Sequence, residues 1–511
     1  MRLLIENCKV FGEKTRSVLV DGRVIVRTSD NPTQAVPGDT IRVDGNGGTL
    51  LSGLVDSHCH PFEYGWLKRN IDLRGTSSVT GLRLRLSARL QRAEPGRWVT
   101  GMGWDHEAFP GRKMPTKTDI DDISPRNPVA LTRVDGHLAL LNAKAIQLLG
   151  LEAKVGEEYE RGPDGKLTGI IKEKALGDVF SAIPHSVEES ASDLLNVEVE
   201  AVRFGLTRLH CIISSEGYKE ELEALASLRA SGSLSMCYNV FLPPEALGYV
   251  SEMGLGTKFG DDSVRLNGVK LYADGSLGSR TAALREPYSD DPGNTGLLRY
   301  SDEQLSGLVE KADAAGFQVI VHAIGDRAVE QAIGAISRVS GPKNPRRHRI
   351  EHASLLPPDL MAKMAKFGVR ASVQPCFITS DTWAVDRLGE ERAAHLYPLR
   401  SMLEAGIIAS GSSDSPVETL SPIIGAWAAC VRAGVAPKEK LSLEQSLSLY
   451  TRNAVSNGLD DHLGVREGAP ADLTLFDSNV EGMHPALFRK VGVMAVVVRG
   501  ELAGSLADTG A

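Results

Sequence analysis

Two histidines one residue apart, His58-Cys59-His60, close the apolar run Leu51-Ser52-Gly53-Leu54-Val55-Asp56-Ser57. In a strand the side chains alternate, so an i, i+2 pair sends both imidazoles to one side and Cys59 to the other. Converging imidazoles make half of a metal site. Four more apolar runs end in groups that could complete it. Lys270 sits inside Val269-Lys270-Leu271-Tyr272. His322 closes Val319-Ile320-Val321, His352 follows Arg349-Ile350-Glu351, and Asp414 stands in Gly411-Ser412-Ser413-Asp414-Ser415-Pro416. Singly, each has an ordinary reading. A histidine at a strand end often bonds only to backbone, and an aspartate before Ser-Pro can begin a turn or cap a helix. Lys270 is harder to dismiss, because a buried ammonium is costly unless neutralised.

These groups need elements that bring them together. From His322 to His352 is 30 positions, about one strand–helix unit, and from His352 to Asp414 is 62, about two. Apolar strands such as 318–321 and 407–410 alternate with helical stretches such as 302–315 and 358–367, the rhythm of a parallel sheet or barrel. In a (β/α)8 barrel every C-terminal strand end meets at one face, where active sites form. The fold class is therefore α/β, a (β/α)8 TIM-like barrel over 53–62 plus 196–462. Short strands with turns at both ends (3–5, 17–20, 23–26, 471–476, 491–498) predict a small composite β-sandwich from 1–52 plus 463–511. The turn- and charge-rich segment 63–195 breaks the rhythm and reads as an insertion after the first barrel strand, near the active-site mouth.

Composition narrows the function. With 511 residues, 42% hydrophobic and 24% charged, the chain has the balance of a soluble globular protein. A net charge of −8 without a basic run argues against nucleic acid as a partner. The first residues do not form a signal peptide, and no apolar run approaches the ~18 residues needed to cross a bilayer. Cys8, Cys59, Cys211, Cys237, Cys376 and Cys430 lack any paired spacing. They read as reduced thiols of a cytoplasmic protein.

The chain resembles the amidohydrolase superfamily of metal-dependent hydrolases, in its amidohydrolase-3 branch, which includes N-substituted formamide deformylase. The resemblance rests on residues 53–61, 268–280, 321–326, 350–353 and 413–416, and extends to Asp135-Gly136-His137 and to 468–473. It implies that His58 and His60 bind a first divalent metal and His322 and His352 a second. Lys270, carboxylated by CO2, would bridge them, and Asp414 would bind the first ion and handle the proton of the attacking water. Such a carbamate, with Asp414 and a hydroxide, leaves a mild positive excess suited to polarising a carbonyl, whereas an ammonium would repel both ions. Zinc suits the imidazole-rich set best, with iron, manganese or nickel fitting nearly as well. One ion, without a carbamate, is the alternative.

The expected activity is hydrolysis of a non-peptide C–N bond in an amide, formamide or cyclic amide. The alternatives are deamination of a heterocyclic or aromatic amine on the same barrel, and a metal-free scaffold protein. Trp104 and His137 in the insertion are candidates for the substrate pocket. His137 is also a candidate to stabilise an oxyanion, and Arg280 to bind an anionic group. The expected partner is a small molecule, with neither nucleic acid nor membrane, and a homodimer is the base-rate oligomer.

Overall fold

Apolar segments flanked by turns become parallel strands when both of their faces are covered. Eight do so in one sheet: β1 (Leu54–Cys59), β2 (Leu206–Ile212), β3 (Cys237–Leu242), β4 (Val264–Tyr272), β5 (Gln318–Ala323), β6 (Arg349–His352), β7 (Arg370–Val373) and β8 (Ala409–Gly411). They are hydrogen-bonded in sequence order, every neighbouring pair parallel. The first and last strands also meet. Asp414 N–H donates to the His58 carbonyl and His60 N–H to the Ser415 carbonyl, each at 2.8 Å, and the Ser57 hydroxyl donates to the Gly411 carbonyl at 2.6 Å. The sheet is thus a nearly closed, TIM-like barrel. This computed structural model describes residues 1–511 except 34, 134–137, 173–174, 181–182, 184–185, 216, 433–435, 462–463 and 506–511.

The outer face of the sheet is covered by amphipathic helices. Helix Asp302–Ala314 starts with a capping box between Ser301 and Gln304, and Asp326–Ser340 buries Ala328, Val329, Ala332, Ile333 and Ile336 along one stripe. Two small sheets draw strands from both ends of the chain. One orders Val24–Ser29, Ser17–Asp21, Arg2–Glu6 and Ile41–Asp44; the other orders Lys9–Val10, Thr49–Ser52, Leu473–Phe476, Val493–Val498 and Glu501–Ser505. They share a core containing Leu3, Ile5, Val18, Val20, Leu50, Leu473, Leu475 and Val497.

The chain divides into two compact units, 1–61 with 195–511, and 62–194. The second has its own six-stranded sheet, in the order Tyr159–Arg161, Leu167–Lys172, Leu138–Leu141, Val129–Arg133, Val99–Trp104 and Ile71–Asp72. Its core includes Leu73, Leu82, Leu86, Leu131 and Ile170. Among the described residues no helix is long and apolar enough to cross a membrane.

Candidate metal centre

The site is built at the C-terminal ends of the barrel strands. His58 is the penultimate residue of β1 and His60 lies just beyond the strand, while Cys59 turns away and its thiol meets the His210 carbonyl at 3.6 Å. Asp414 is reached three residues past β8, where the chain adopts a left-handed φ of 55°, which a short polar side chain tolerates. One Asp414 oxygen, Oδ1, is 3.1 Å from His58 Nε2 and 3.4 Å from His60 Nε2. These two nitrogens and a carboxylate oxygen all lie within 4.8 Å of one another. Imidazole nitrogen and carboxylate oxygen at such separations suit a first-row divalent ion.

The other expected ligands gather beside this triad. Lys270 Nζ is 3.1 Å from His58 Nε2 and 4.7 Å from the centre of the Tyr272 ring. The His352 ring lies 5.1 Å from that of His58 and 4.5 Å from that of His322. His322 Nε2 faces the Gly275 carbonyl at 3.0 Å, and His352 Nδ1 faces Gln374 Oε1 at 2.8 Å. Glu351 and His352 are consecutive yet both reach the cluster. Strand alternation would separate them, but the chain leaves strand geometry at His352, with φ of 71°, and at Ala353, with φ of 45°.

Burial and mutual charge set the protonation states. Burial, with Lys270 adding to it, holds the His58 imidazole below its ordinary value against the pull of Glu351 and Asp414. Burial and the neighbouring His322 do the same to His352. Burial also draws the Lys270 ammonium down to about 8, with Glu351 and Asp414 opposing. For Asp414 burial works upward, but His58 and His60 outweigh it and hold the carboxyl well below the usual range. Neutral imidazoles, an ionised carboxylate and an easily neutralised lysine are the states that metal ligation demands.

Several supporting groups carry no plain signal in the sequence. Glu351 accepts from His58 Nδ1, and Asp274 accepts backbone N–H groups of Ala283, Ile324 and Gly325 at 2.9, 3.1 and 2.9 Å. Asp274 thereby ties the loop after β4 to the end of β5. Both lie in segments recognisable by resemblance, but only their complete burial marks them as more than turn or surface residues.

The expected pocket residues fare differently. Trp104 is a correction: its side chain is fully enclosed in the core of the second unit and its indole N–H donates to the Leu131 carbonyl at 2.7 Å, so it lines no pocket. His137 lies outside the described residues. Arg280 pairs with a loop carboxylate, its guanidinium held by both oxygens of Asp290 at 3.1 and 2.9 Å. Arg299 is placed better. Its backbone N–H bonds the Ala273 carbonyl at 2.8 Å, its guanidinium is 5.4 Å from the Tyr272 ring centre, and among the described residues it makes no ion pair.

An eight-stranded parallel barrel with histidines, a lysine and an aspartate converging at its C-terminal strand ends defines a metal-dependent hydrolase. Residues 42–503 match the model of the amidohydrolase family, and the chain belongs to that family. It superimposes on a metal-dependent hydrolase from Pyrococcus furiosus with a TM-score of 0.83 and 31% identity, covering 93% of this chain and 99% of that one. It is 28% identical to YtcJ of Bacillus subtilis over 96% of each chain. It is 24% identical to N-substituted formamide deformylase of Arthrobacter pascens, over 95% of this chain and 94% of the other.

Proposed function

We propose that the protein hydrolyses a non-peptide C–N bond of a small molecule, an amide, formamide or cyclic amide, with a divalent metal, zinc by its ligand chemistry. The observation that carries this reading is the triad of His58, His60 and Asp414, whose three donor atoms lie within 4.8 Å of one another. The likeness to a formamide deformylase supports the C–N bond as the target. A divalent ion held there supplies a Lewis acid and lowers the pKa of water from about 15.7 toward ~7.

The chain's own residues do the rest. His58 and His60 would hold the first ion through their ring nitrogens, and His322 and His352 form the second ligand pair. Asp414 Oδ1 takes the proton of the attacking water and returns it to the leaving nitrogen, so the proton is conserved across the cycle. Lys270, whose ammonium burial brings down to about 8, would as the neutral amine add to CO2, forming the N–C bond and releasing one amine proton to solvent, and the carbamate would then serve as an anionic ligand beside both histidine pairs. Arg299, which makes no ion pair among the described residues and lies 5.4 Å from the Tyr272 ring centre, receives a carboxylate on the substrate. Six free, buried thiols fit a reducing compartment, which we take to be the cytoplasm.

A second reading is deamination of a heterocyclic or aromatic amine with one ion and an unmodified lysine. The close set of His58, His60 and Asp414, enough donors for a single ion without a modified lysine, favours it. Metal analysis joined to a hydrolysis screen across N-formyl amines, N-acyl amino acids, cyclic amides and aminated heterocycles separates the two. Two ions per chain with amide turnover supports the first reading. One ion with ammonia released from a ring amine supports the second.

A further inference from the structure

Behind the candidate ligands the barrel interior holds a buried ion pair that no catalytic step uses. Arg349 and Glu351 stand two apart on β6, so their side chains share the inner face, and both are fully enclosed. Glu351 divides its two oxygens: Oε2 takes His58 Nδ1, and Oε1 accepts from Arg349 Nε at 2.6 Å. Arg349 is itself fixed by the Ser57 carbonyl at 2.8 Å and the Asn457 carbonyl at 3.3 Å, with His210 Nδ1 at 3.1 Å. The path continues from His210 Nε2 to Asn239 Nδ2 at 3.2 Å. Asn239 Oδ1 accepts from Arg208 and Arg265, each at 2.9 Å. A column of polar contacts thus runs from His58 to the N-terminal end of the barrel.

We propose that Glu351, clamped by Arg349, is a positioning residue that acts through His58, holding the proton on Nδ1 and so presenting the Nε2 lone pair to the first ion. The inference rests on the metal-site reading above. Replacing a buried ion pair by apolar side chains is often neutral or stabilising, so stability alone is a weak reason for a chain to keep one. Its placement against a candidate ligand supplies the reason. The imidazoles of the site are backed unequally: His58 by the Glu351 carboxylate that Arg349 clamps, His322 by the Gly275 carbonyl at 3.0 Å with Asp274 Oδ1 at 3.4 Å, and His352 by the neutral amide of Gln374. Among the described residues His60 is backed by none of these, meeting only Asp414. A carboxylate behind an imidazole fixes its tautomer and raises its basicity as a ligand.

The test is metal affinity of the full-length protein, read by competition between a chelator and zinc ions and by the visible absorption of the cobalt(II) form. Glu351→Gln keeps the shape and removes the charge; Glu351→Asp keeps the charge beside Arg349 and withdraws it by one methylene from His58. Thermal unfolding of the metal-free forms shows which variants fold. The proposal expects each folded variant to bind the first zinc ion roughly 10–100-fold more weakly, with an altered cobalt(II) spectrum. Unchanged affinity and an unchanged spectrum in a folded variant overturn it and leave the pair a purely structural plug. A wild-type chain that binds neither ion overturns instead the metal-site reading on which it rests.

Discussion

The two ends of the same eight strands are built on opposite rules. At the N-terminal end, charged and polar groups are matched by protein partners. Arg265 is held by Asp460, Arg370 donates to the Ser456 carbonyl at 3.1 Å, and Asn457 donates to the Ala371 carbonyl at 2.9 Å and the Ser410 hydroxyl at 2.7 Å. Gly458 belongs to this plug because a Cβ there would fall 2.5 Å from Asn239 Nδ2 and 2.8 Å from His210 Nε2. At the C-terminal end, His58, His60 and Asp414 meet mainly one another, and His322 and His352 crowd ring against ring. Polar groups gathered with their bonding capacity turned inward on each other mark the end built to receive something from outside. Cationic side chains with dedicated partners mark the end built for stability.

Substitutions should therefore separate activity from stability according to the end they touch. The largest effect is expected of Asp414→Asn, which removes the proposed proton acceptor. Turnover should fall by roughly 10²–10⁴-fold in a steady-state assay while the protein stays folded. Equal activity in that variant would remove Asp414 from the chemistry. Lys270→Ala comes next: metal analysis should drop from two ions per chain toward one, and depleting CO2 during metal loading should imitate it in the wild type. Two ions retained without the lysine would break the carbamate bridge.

At the opposite end, Asp460→Asn weakens the pair with Arg265 and should lower unfolding free energy by about 1.5–3 kcal/mol in denaturant titration. Turnover per folded molecule should be unchanged. The pH dependence of the metal-free protein follows from the downward shifts. Histidines held low in the folded state favour it above their ordinary value of about 6.5, and this contribution is lost as pH falls below that value. Asp414, also held low, stabilises above about 4, and that contribution is lost on further acidification through its folded value. Both run the same way, so stability should decline on acidification, and Asp414→Asn should flatten the branch below about pH 4. The smallest effect is expected of Arg299→Gln. Because the side chain is exposed, KM for a carboxylate-bearing substrate should rise only about two- to fivefold, with KM for its neutral amide unmoved.

The barrel was legible because strands covered on both faces read as apolar runs, and a ligand closing such a run is conspicuous. Val319-Ile320-Val321-His322 announces both β5 and its histidine. Boundaries were less so: the strand expected at 407–410 begins at Ala409, since Gly406, at φ of 78°, ends the preceding helix and Ile407 and Ile408 form the approach. The N-terminal plug was not legible at all. Arg208, Asn239, Arg265 and Arg349 each look like a polar interruption of a strand, and only the closed barrel makes them neighbours. Glu351 was hidden for the same reason, its partner His58 lying 293 positions away. Trp104, beside Asp105-His106, reads equally as pocket or core, and only the folded second unit shows its indole filling a core.

Whether the C-terminal end of the barrel is a divalent-metal hydrolase site can be read by stripping the protein with a chelator and titrating zinc back while following hydrolysis of an N-formyl amine. The stripped protein should stay folded but inactive. It should regain turnover in proportion to bound ion, and His58→Ala should fail to do so. Full turnover without metal, or zinc bound with equal affinity by His58→Ala, would contradict that reading.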